Sequence, residues 1–194
     1  MSNIRIIAPI RKRMVMVFDV ETTGLLPKKI TGQEIPIESY PYIIQLSCIV
    51  YDLINKHIAF SYDSYVKIPD NIEIPERVSE LTGITKEICN EKGCDIIDAL
   101  SNFYEAYMIS EVVVAHNIDF DQKMIEIELM RNRKDVLDKV PYCFTIFSKI
   151  YEQLKGIERY CTMKHGIDIC AIKIENRITK KWPKLSELHQ KLFD

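Results

Sequence analysis

No apolar run in the 194 residues is long enough to span a bilayer, and Met1 to Arg13 carries charge without the continuous apolar core of a signal peptide. A membrane anchor and a secretory leader are therefore not expected, and a soluble intracellular chain, cytoplasmic or nuclear, is. Cys-x-x-Cys is absent. The six cysteines, Cys48, Cys89, Cys94, Cys143, Cys161 and Cys170, sit in periodic apolar segments where a free thiol packs as a small hydrophobe. Cys161, His165 and Cys170 have spacings that fit no standard zinc module. Charge of one sign is also lacking. The formal net charge of −2 argues against a large electrostatic footprint along a duplex, although a protein gripping only the last few nucleotides needs few basic residues. Basic clusters at Arg11 to Arg13, Lys28 and Lys29, Arg131 to Lys134, and Lys180 to Lys184 are either backbone contacts or solvated faces. Walker-type Gly-x-x-x-x-Gly-Lys, Gly-x-Ser-x-Gly and His-Glu-x-x-His are missing, as are repeats and linkers. A hydrophobic content of 47% suffices for a core, so one globular domain over residues 1–194 is expected.

What is present centres on Met14 to Leu25, Met-Val-Met-Val-Phe-Asp-Val-Glu-Thr-Thr-Gly-Leu. Five consecutive apolar residues predict a strand in mid-sheet, buried on both faces. Side chains alternate along a strand, so Asp19 and Glu21 project from the face that carries Val15 and Val17. Two like charges at the end of a buried strand repel and lose hydration, a cost that a divalent cation between them relieves. Thr22, Thr23 and Gly24 then turn the chain with small residues and leave room for close approach to the backbone, which suits a nucleic-acid end.

A second stretch, Val112 to Leu129, supplies a candidate third carboxylate. A β-branched run ends at Ala115 and His116, Asn117 reads as a helix cap, and Phe120, Met124 and Ile127 carry helical periodicity. Asp121 falls in the first turn, where the macrodipole favours a negative charge, beside a Phe120 that anchors the turn in the core.

These two stretches resemble the DnaQ-like 3′-to-5′ exonucleases, the DEDD group of the ribonuclease H-like fold. Phe18-Asp19-Val20-Glu21-Thr22-Thr23-Gly24-Leu25 is similar to the family's first motif and His116-Asn117-Ile118-Asp119-Phe120-Asp121 to its second. The resemblance implies that Asp19, Glu21 and Asp121 are catalytic and hold two divalent ions, Mg²⁺ or Mn²⁺, with Asp119 a near miss. It implies that Thr22, Thr23, Gly24 and Leu25 meet the terminal nucleotide, Leu25 as a wedge. Leu81-Thr82-Gly83-Ile84-Thr85 resembles a segment that lines the pocket for the terminal base, with Ile84 against it; Asn117 is a further carry-over. Tyr160-Cys161-Thr162-Met163 and Trp182-Pro183-Lys184-Leu185-Ser186-Glu187-Leu188 resemble a subset that continues into a third motif, a His and, five residues later, an Asp. The sequence is expected to end before that motif. His189 and Asp194 have the same separation, but His189 lies inside the Leu185, Leu188, Leu192 pattern and reads as a helix-surface residue. A partner chain or a further C-terminal segment would then complete the site.

The expected fold is α/β, ribonuclease H-like, with a central five-stranded mixed sheet flanked by helices. Leu26 to Pro41 reads as a loop that could cover the substrate. Tyr42 to Tyr51 and Ile58 to Ile68 read as a hairpin around Asn55-Lys56. Short-helix signals start at Pro75 and end near Gly83; Asp95 to Met108 is a longer helix leading into a strand at Val112 to Ala115, parallel to the first. Tyr142 to Leu154 reads as helix, Tyr160 to Met163 as a last strand, and Lys184 to Phe193 as a terminal helix. Tyr and Phe residues read as core rather than base-stacking platforms. The expected function is hydrolysis of nucleotides from a single-stranded 3′ end by a two-metal mechanism, DNA and RNA being undistinguished. The alternative is a non-catalytic nucleic-acid-binding or protein-interaction module on the same fold.

Overall fold

The computed structural model describes residues 12–28, 32, 34–173 and 179–194. Its elements are β1 (Met14–Thr22), β2 (Ile43–Asp52), β3 (His57–Tyr65), α1 (Glu76–Thr82), α2 (Lys86–Lys92), α3 (Ile96–Met108), β4 (Val112–Ala115), α4 (Ile118–Arg131), α5 (Arg133–Lys139), α6 (Lys149–Lys155), β5 (Glu158–Cys161), α7 (Thr162–Cys170) and α8 (Leu185–Phe193). The strands form one mixed sheet in the order β3-β2-β1-β4-β5, antiparallel from β3 to β1 and parallel from β1 to β5. This is the expected five-stranded α/β architecture with β1 at its centre.

One expectation for β1 needs correction. Met16, Phe18 and Val20 are buried, but Val17 on the opposite face is 52% exposed. The sheet is covered on one side by α3 and α4, while Val15, Val17, Asp19 and Glu21 lie on its open side. A continuous apolar run therefore marked a central strand without marking two covered faces. On the covered side Phe18 meets Phe103 edge-on, with ring centroids 5.2 Å apart, and Phe147 and Tyr107 complete the cluster. The Tyr107 hydroxyl donates to Glu152 (3.1 Å) and accepts from the Phe147 amide (3.2 Å), so this buried polar tip is fully used.

The hairpin is secured by Asp52, whose carboxylate accepts the amides of Ile54 (2.9 Å) and Asn55 (3.0 Å) and pairs with Arg13. The Arg13 guanidinium hydrogen-bonds Asp52 and holds its carboxyl well below the usual range. Asp95 caps α3 by accepting from the Ile97 amide (2.7 Å), and Gly83, at φ 73°, ends α1 in the left-handed conformation that glycine adopts at no steric cost.

Other boundaries moved. Residues 142–154 are not one helix: a 3-10 turn over Pro141–Thr145 is separated from α6 by Phe147, at φ 57°. Tyr107 and Arg159, which bonds the Phe147 carbonyl (3.2 Å), hold that left-handed residue in place. The last strand is β5, and Thr162 already opens α7. Arg131 is not an available surface cation. It pairs with Glu128, lies 3.7 Å from the Tyr42 ring centroid, and donates to the carbonyls of Ile37 (3.1 Å), Tyr40 (2.9 Å) and Pro41 (3.0 Å). The end of the loop after β1 is thus tied to α4 rather than laid over the acids. Arg11 and Lys29 lie outside the described residues. Lys180 and Lys181 pair with Asp168 and Glu187. No described helix is long and apolar enough to cross a membrane.

Candidate active site

Asp19 and Glu21 stand two residues apart on the open face of β1. Across the sheet Asp19 pairs with Ser47 and Ser47 with Asp63, and Glu21 pairs with Gln45. Ser47 and Gln45 both donate to Asp63, and the carboxylates of Asp19 and Glu21 have no hydrogen-bond or ion-pair partner among the described residues. The ladder from β1 to β4 stops at Val17 and Val114, so the Val20 amide lies beyond it. Asp121 fills that gap. Its Oδ1 accepts the Val20 amide at 3.2 Å, which fastens the first turn of α4 to the end of β1.

Asp121 is only 3% exposed, and its burial, reinforced by the charge of Asp19 and then Glu21, pushes its carboxyl up to about 7. Desolvation also raises Asp19, opposed by the charge of His116, and raises Glu21 with help from Asp19. Three carboxylates therefore share one field, and each is held less ionised than in water. They do not close around a point: among the described residues no three His, Cys, Asp or Glu side chains are placed to hold one ion. Asp121 is turned onto a backbone amide, whereas the Asp19 and Glu21 carboxylates have no protein partner among the described residues. The donor set is all carboxylate oxygen, the chemistry that suits Mg²⁺ or Mn²⁺.

Beside Glu21 lies a cavity of about 450 Å³. Glu21, Thr22, Thr23, Gly24 and Leu25 form one wall, residues of α1 from Arg77 to Thr82 face them, and Phe120 contributes from α4. Leu25 and Leu81 are each 85% exposed, large apolar side chains at the mouth. The turn is braced by Thr22 Oγ1 donating to the Gly24 carbonyl (2.7 Å) and by Thr23, whose amide donates to the Tyr42 carbonyl (2.9 Å) and whose hydroxyl accepts the Tyr42 amide (3.0 Å).

Two expected substrate residues, Ile84 and Asn117, do not line this cavity. Ile84 is buried with Ile44, Ile68 and Cys89 in a small separate core, and Val78, Leu81 and Thr82 of the preceding helix line the cavity instead. Asn117 makes no side-chain cap; it sits at φ 72° in the left-handed region, which asparagine tolerates, so that the chain can turn from β4 into α4. Arg77 and Phe120 also line the cavity, a role that the sequence pattern does not show. Periodicity marks a helix face but not the neighbour opposite, so only the fold could bring α1 to this wall. Asp119 points away and pairs with Lys164 at 2.6 Å. His165 bonds the Cys161 carbonyl (2.9 Å) and stacks on Tyr160, which leaves no zinc site there among the described residues. His189 is exposed on α8, its ring 5.0 Å from that of Phe193.

A family model described as RNase_T, exonuclease, matches residues 16–169, from β1 through α7. The chain belongs to this family. Both acid-bearing stretches of this exonuclease domain fall inside the match, as the resemblance to DnaQ-like enzymes implied. The chain is 28% identical over 155 residues to the DNA polymerase III PolC-type of Clostridium perfringens (strain 13 / Type A), covering 79% of this chain and 10% of that protein. It is 30% identical over 118 residues to the 3′-5′ exonuclease DinG of Bacillus subtilis (strain 168), covering 61% and 11% respectively. It therefore spans about a tenth of the length of these relatives. Among solved structures, E. coli exonuclease I in complex with a 5cy-dA13 oligonucleotide aligns over 93% of this domain and 36% of that chain, with a TM-score of 0.62 at 15% identity. Exonuclease I from Methylocaldum szegediense aligns over 92% and 35%, with a TM-score of 0.63 at 17% identity. At these identities the likeness establishes a shared fold.

Proposed function

We propose that this exonuclease domain binds the 3′ end of a single-stranded nucleic acid and hydrolyses its terminal phosphodiester bond. The observation that carries the reading is the cavity of about 450 Å³ lined by Glu21, the outer member of a carboxylate group in which burial, and then the charges of Asp19 and Glu21, push the Asp121 carboxyl up to about 7. Asp19, Glu21 and Asp121 would hold two Mg²⁺ or Mn²⁺ ions, whose chemistry is to lower the pKa of a bound water and to stabilise the charge on the leaving oxygen. The protein's own part is positioning. Leu25 and Leu81 clasp the terminal base at the mouth, Phe120 and Val78 offer it apolar walls, and Thr22 and Thr23 hold the turn that sets Glu21 against it.

A general base is the weak point of this arrangement. Of the four histidines, only His116 has a charge that reaches Asp19, and both its nitrogens are engaged. Nε2 donates to the Pro183 carbonyl (3.1 Å) and Nδ1 meets Thr162 Oγ1 (2.9 Å). We therefore propose that the base comes from a partner chain or from sequence beyond this one, and that these 194 residues alone turn over near background. A positioned base contributes typically about 10²–10⁴-fold. End-labelled oligonucleotides incubated with Mn²⁺ test the reading: slow, metal-dependent loss of 3′ nucleotides that Asp121→Ala abolishes is expected, and metal-independent or internal cleavage would refute it. A second reading, a binding module without turnover, is favoured by the failure of the three acids to converge. It predicts oligonucleotide binding with no Mn²⁺-dependent product.

A further inference from the structure

The cavity beside Glu21 has two charged residues in its wall, and they are of opposite sign. Glu21 belongs to the acid cluster; Arg77, on α1, belongs to the facing wall. The rest of that wall is apolar or hydroxylic: Pro75, Val78, Leu81 and Thr82. Three other arginines are committed, Arg13 to Asp52, Arg131 to Glu128 and Arg159 to Glu152, and Arg133, exposed on α5, does not line this cavity. Arg77 has no ion-pair or hydrogen-bond partner among the described residues, and its side chain is exposed although it lines a cavity, which puts it at the rim. A nucleotide seated here brings two different surfaces. Its base is a neutral, flat, largely apolar body that suits Leu25, Leu81, Val78 and Phe120. Its chain leaves through the mouth and brings a phosphate out past the rim, near Glu21 in the wall and its neighbour Asp19, which would repel it.

We infer that Arg77 is a positioning residue that holds a backbone phosphate of the nucleic-acid strand where the strand leaves the cavity. A planar guanidinium forms paired hydrogen bonds to phosphate oxygens, and at the rim it offsets the repulsion from Asp19 and Glu21. A rim position favours the phosphate over a base edge, because a base buried against the apolar wall turns its edge inward. Phosphate contacts carry no sequence information, so the grip is independent of the terminal base. The inference rests on the nucleic-acid reading of the cavity and adds to it the residue that fixes the strand's exit.

Binding in EDTA separates the two ideas without needing turnover. Fluorescence anisotropy is measured for four single-stranded oligonucleotides that share one body and differ only in the 3′-terminal base, over a series of KCl concentrations. Arg77→Gln should weaken all four alike, by roughly tenfold at low salt. It should also reduce the slope of log affinity against log salt by about 0.7, the value for one phosphate contact on a single strand. Arg77→Lys should restore the salt slope and most of the affinity, which a merely structural role would not predict, and the circular dichroism of both variants should match the parent. If the parent binds none of the oligonucleotides, the nucleic-acid reading falls and this inference with it. If the parent binds and Arg77→Gln binds equally well with the same slope, Arg77 alone is misassigned. Loss confined to one terminal base would show that Arg77 reads a base edge, and would overturn the phosphate assignment.

Discussion

Asp121→Asn in metal-free protein isolates the electrostatic cost of the site. The Asp121 carboxyl titrates at about 7 in the folded chain against an ordinary value of 3.8, and at 3% exposure little solvent screening reduces the difference. Between those two values the folded state binds more protons than the unfolded state, so stability falls as pH rises from about 4 to about 7 and is level beyond. A shift of about three units is worth about 4 kcal/mol at 1.36 kcal/mol per unit. That figure is a ceiling, because Asp19 and Glu21 share the repulsion and keep their own part of it. The asparagine of the variant cannot ionise, yet its side-chain carbonyl can still accept the Val20 amide, so the fastening of α4 to β1 survives. Parent and variant should be equally stable near pH 4, and the variant should lead by about 2–4 kcal/mol at pH 8, or roughly 4–16 °C in Tm for a chain of this size. Urea unfolding in EDTA, followed by far-ultraviolet circular dichroism, is the assay. Fluorescence is the poorer probe because the single tryptophan, Trp182, is already 58% exposed. Parallel pH profiles from pH 4 to 8, or a variant less stable at pH 8, would refute the claim that burial and the neighbouring charges of Asp19 and Glu21 hold the Asp121 carboxyl up.

Asp19→Asn should leave the metal-free melting temperature equal or higher, since it removes a charge that raises both Asp121 and Glu21; a clear drop would count against the cluster. Mn²⁺ should bind and raise the melting temperature, as any ligand selective for the native state does, and calorimetry that finds no binding abolished by Asp121→Ala would contradict the proposed ligands. His189→Ala should leave whatever nuclease activity exists unchanged, because His189 is exposed on α8 against Phe193; loss of activity would show that the terminal helix serves the site. Phe103→Ala, by contrast, opens the aromatic core and should cost about 3–5 kcal/mol in urea unfolding at any pH, and a cost below about 1 kcal/mol would mean that this cluster is loosely packed.

The sequence by itself determined the parts of this protein that depend on near neighbours in the chain. Alternation along Met14 to Glu21 set Asp19 and Glu21 on one face, the β-branched run before His116 marked β4, and Pro75 and Gly83 bracketed α1, because period and turn chemistry act within a few residues. The spacing of both acid-bearing stretches carried the family as well. Tertiary structure decided everything that depends on who stands opposite. It left one face of β1 open, drew Arg131 into the fold as an anchor for the loop after β1, and broke residues 142–154 at Phe147. It also sent Ile84 into a small core while bringing Arg77 and Leu81 to the cavity. Asp121 shows the division most plainly. Its place in the first turn of α4 is local, but its raised pKa comes from burial and from the charges of Asp19 and Glu21, about a hundred residues earlier in the chain. Desolvation and Coulomb energy depend on distance in space, and only the folded sheet sets that distance.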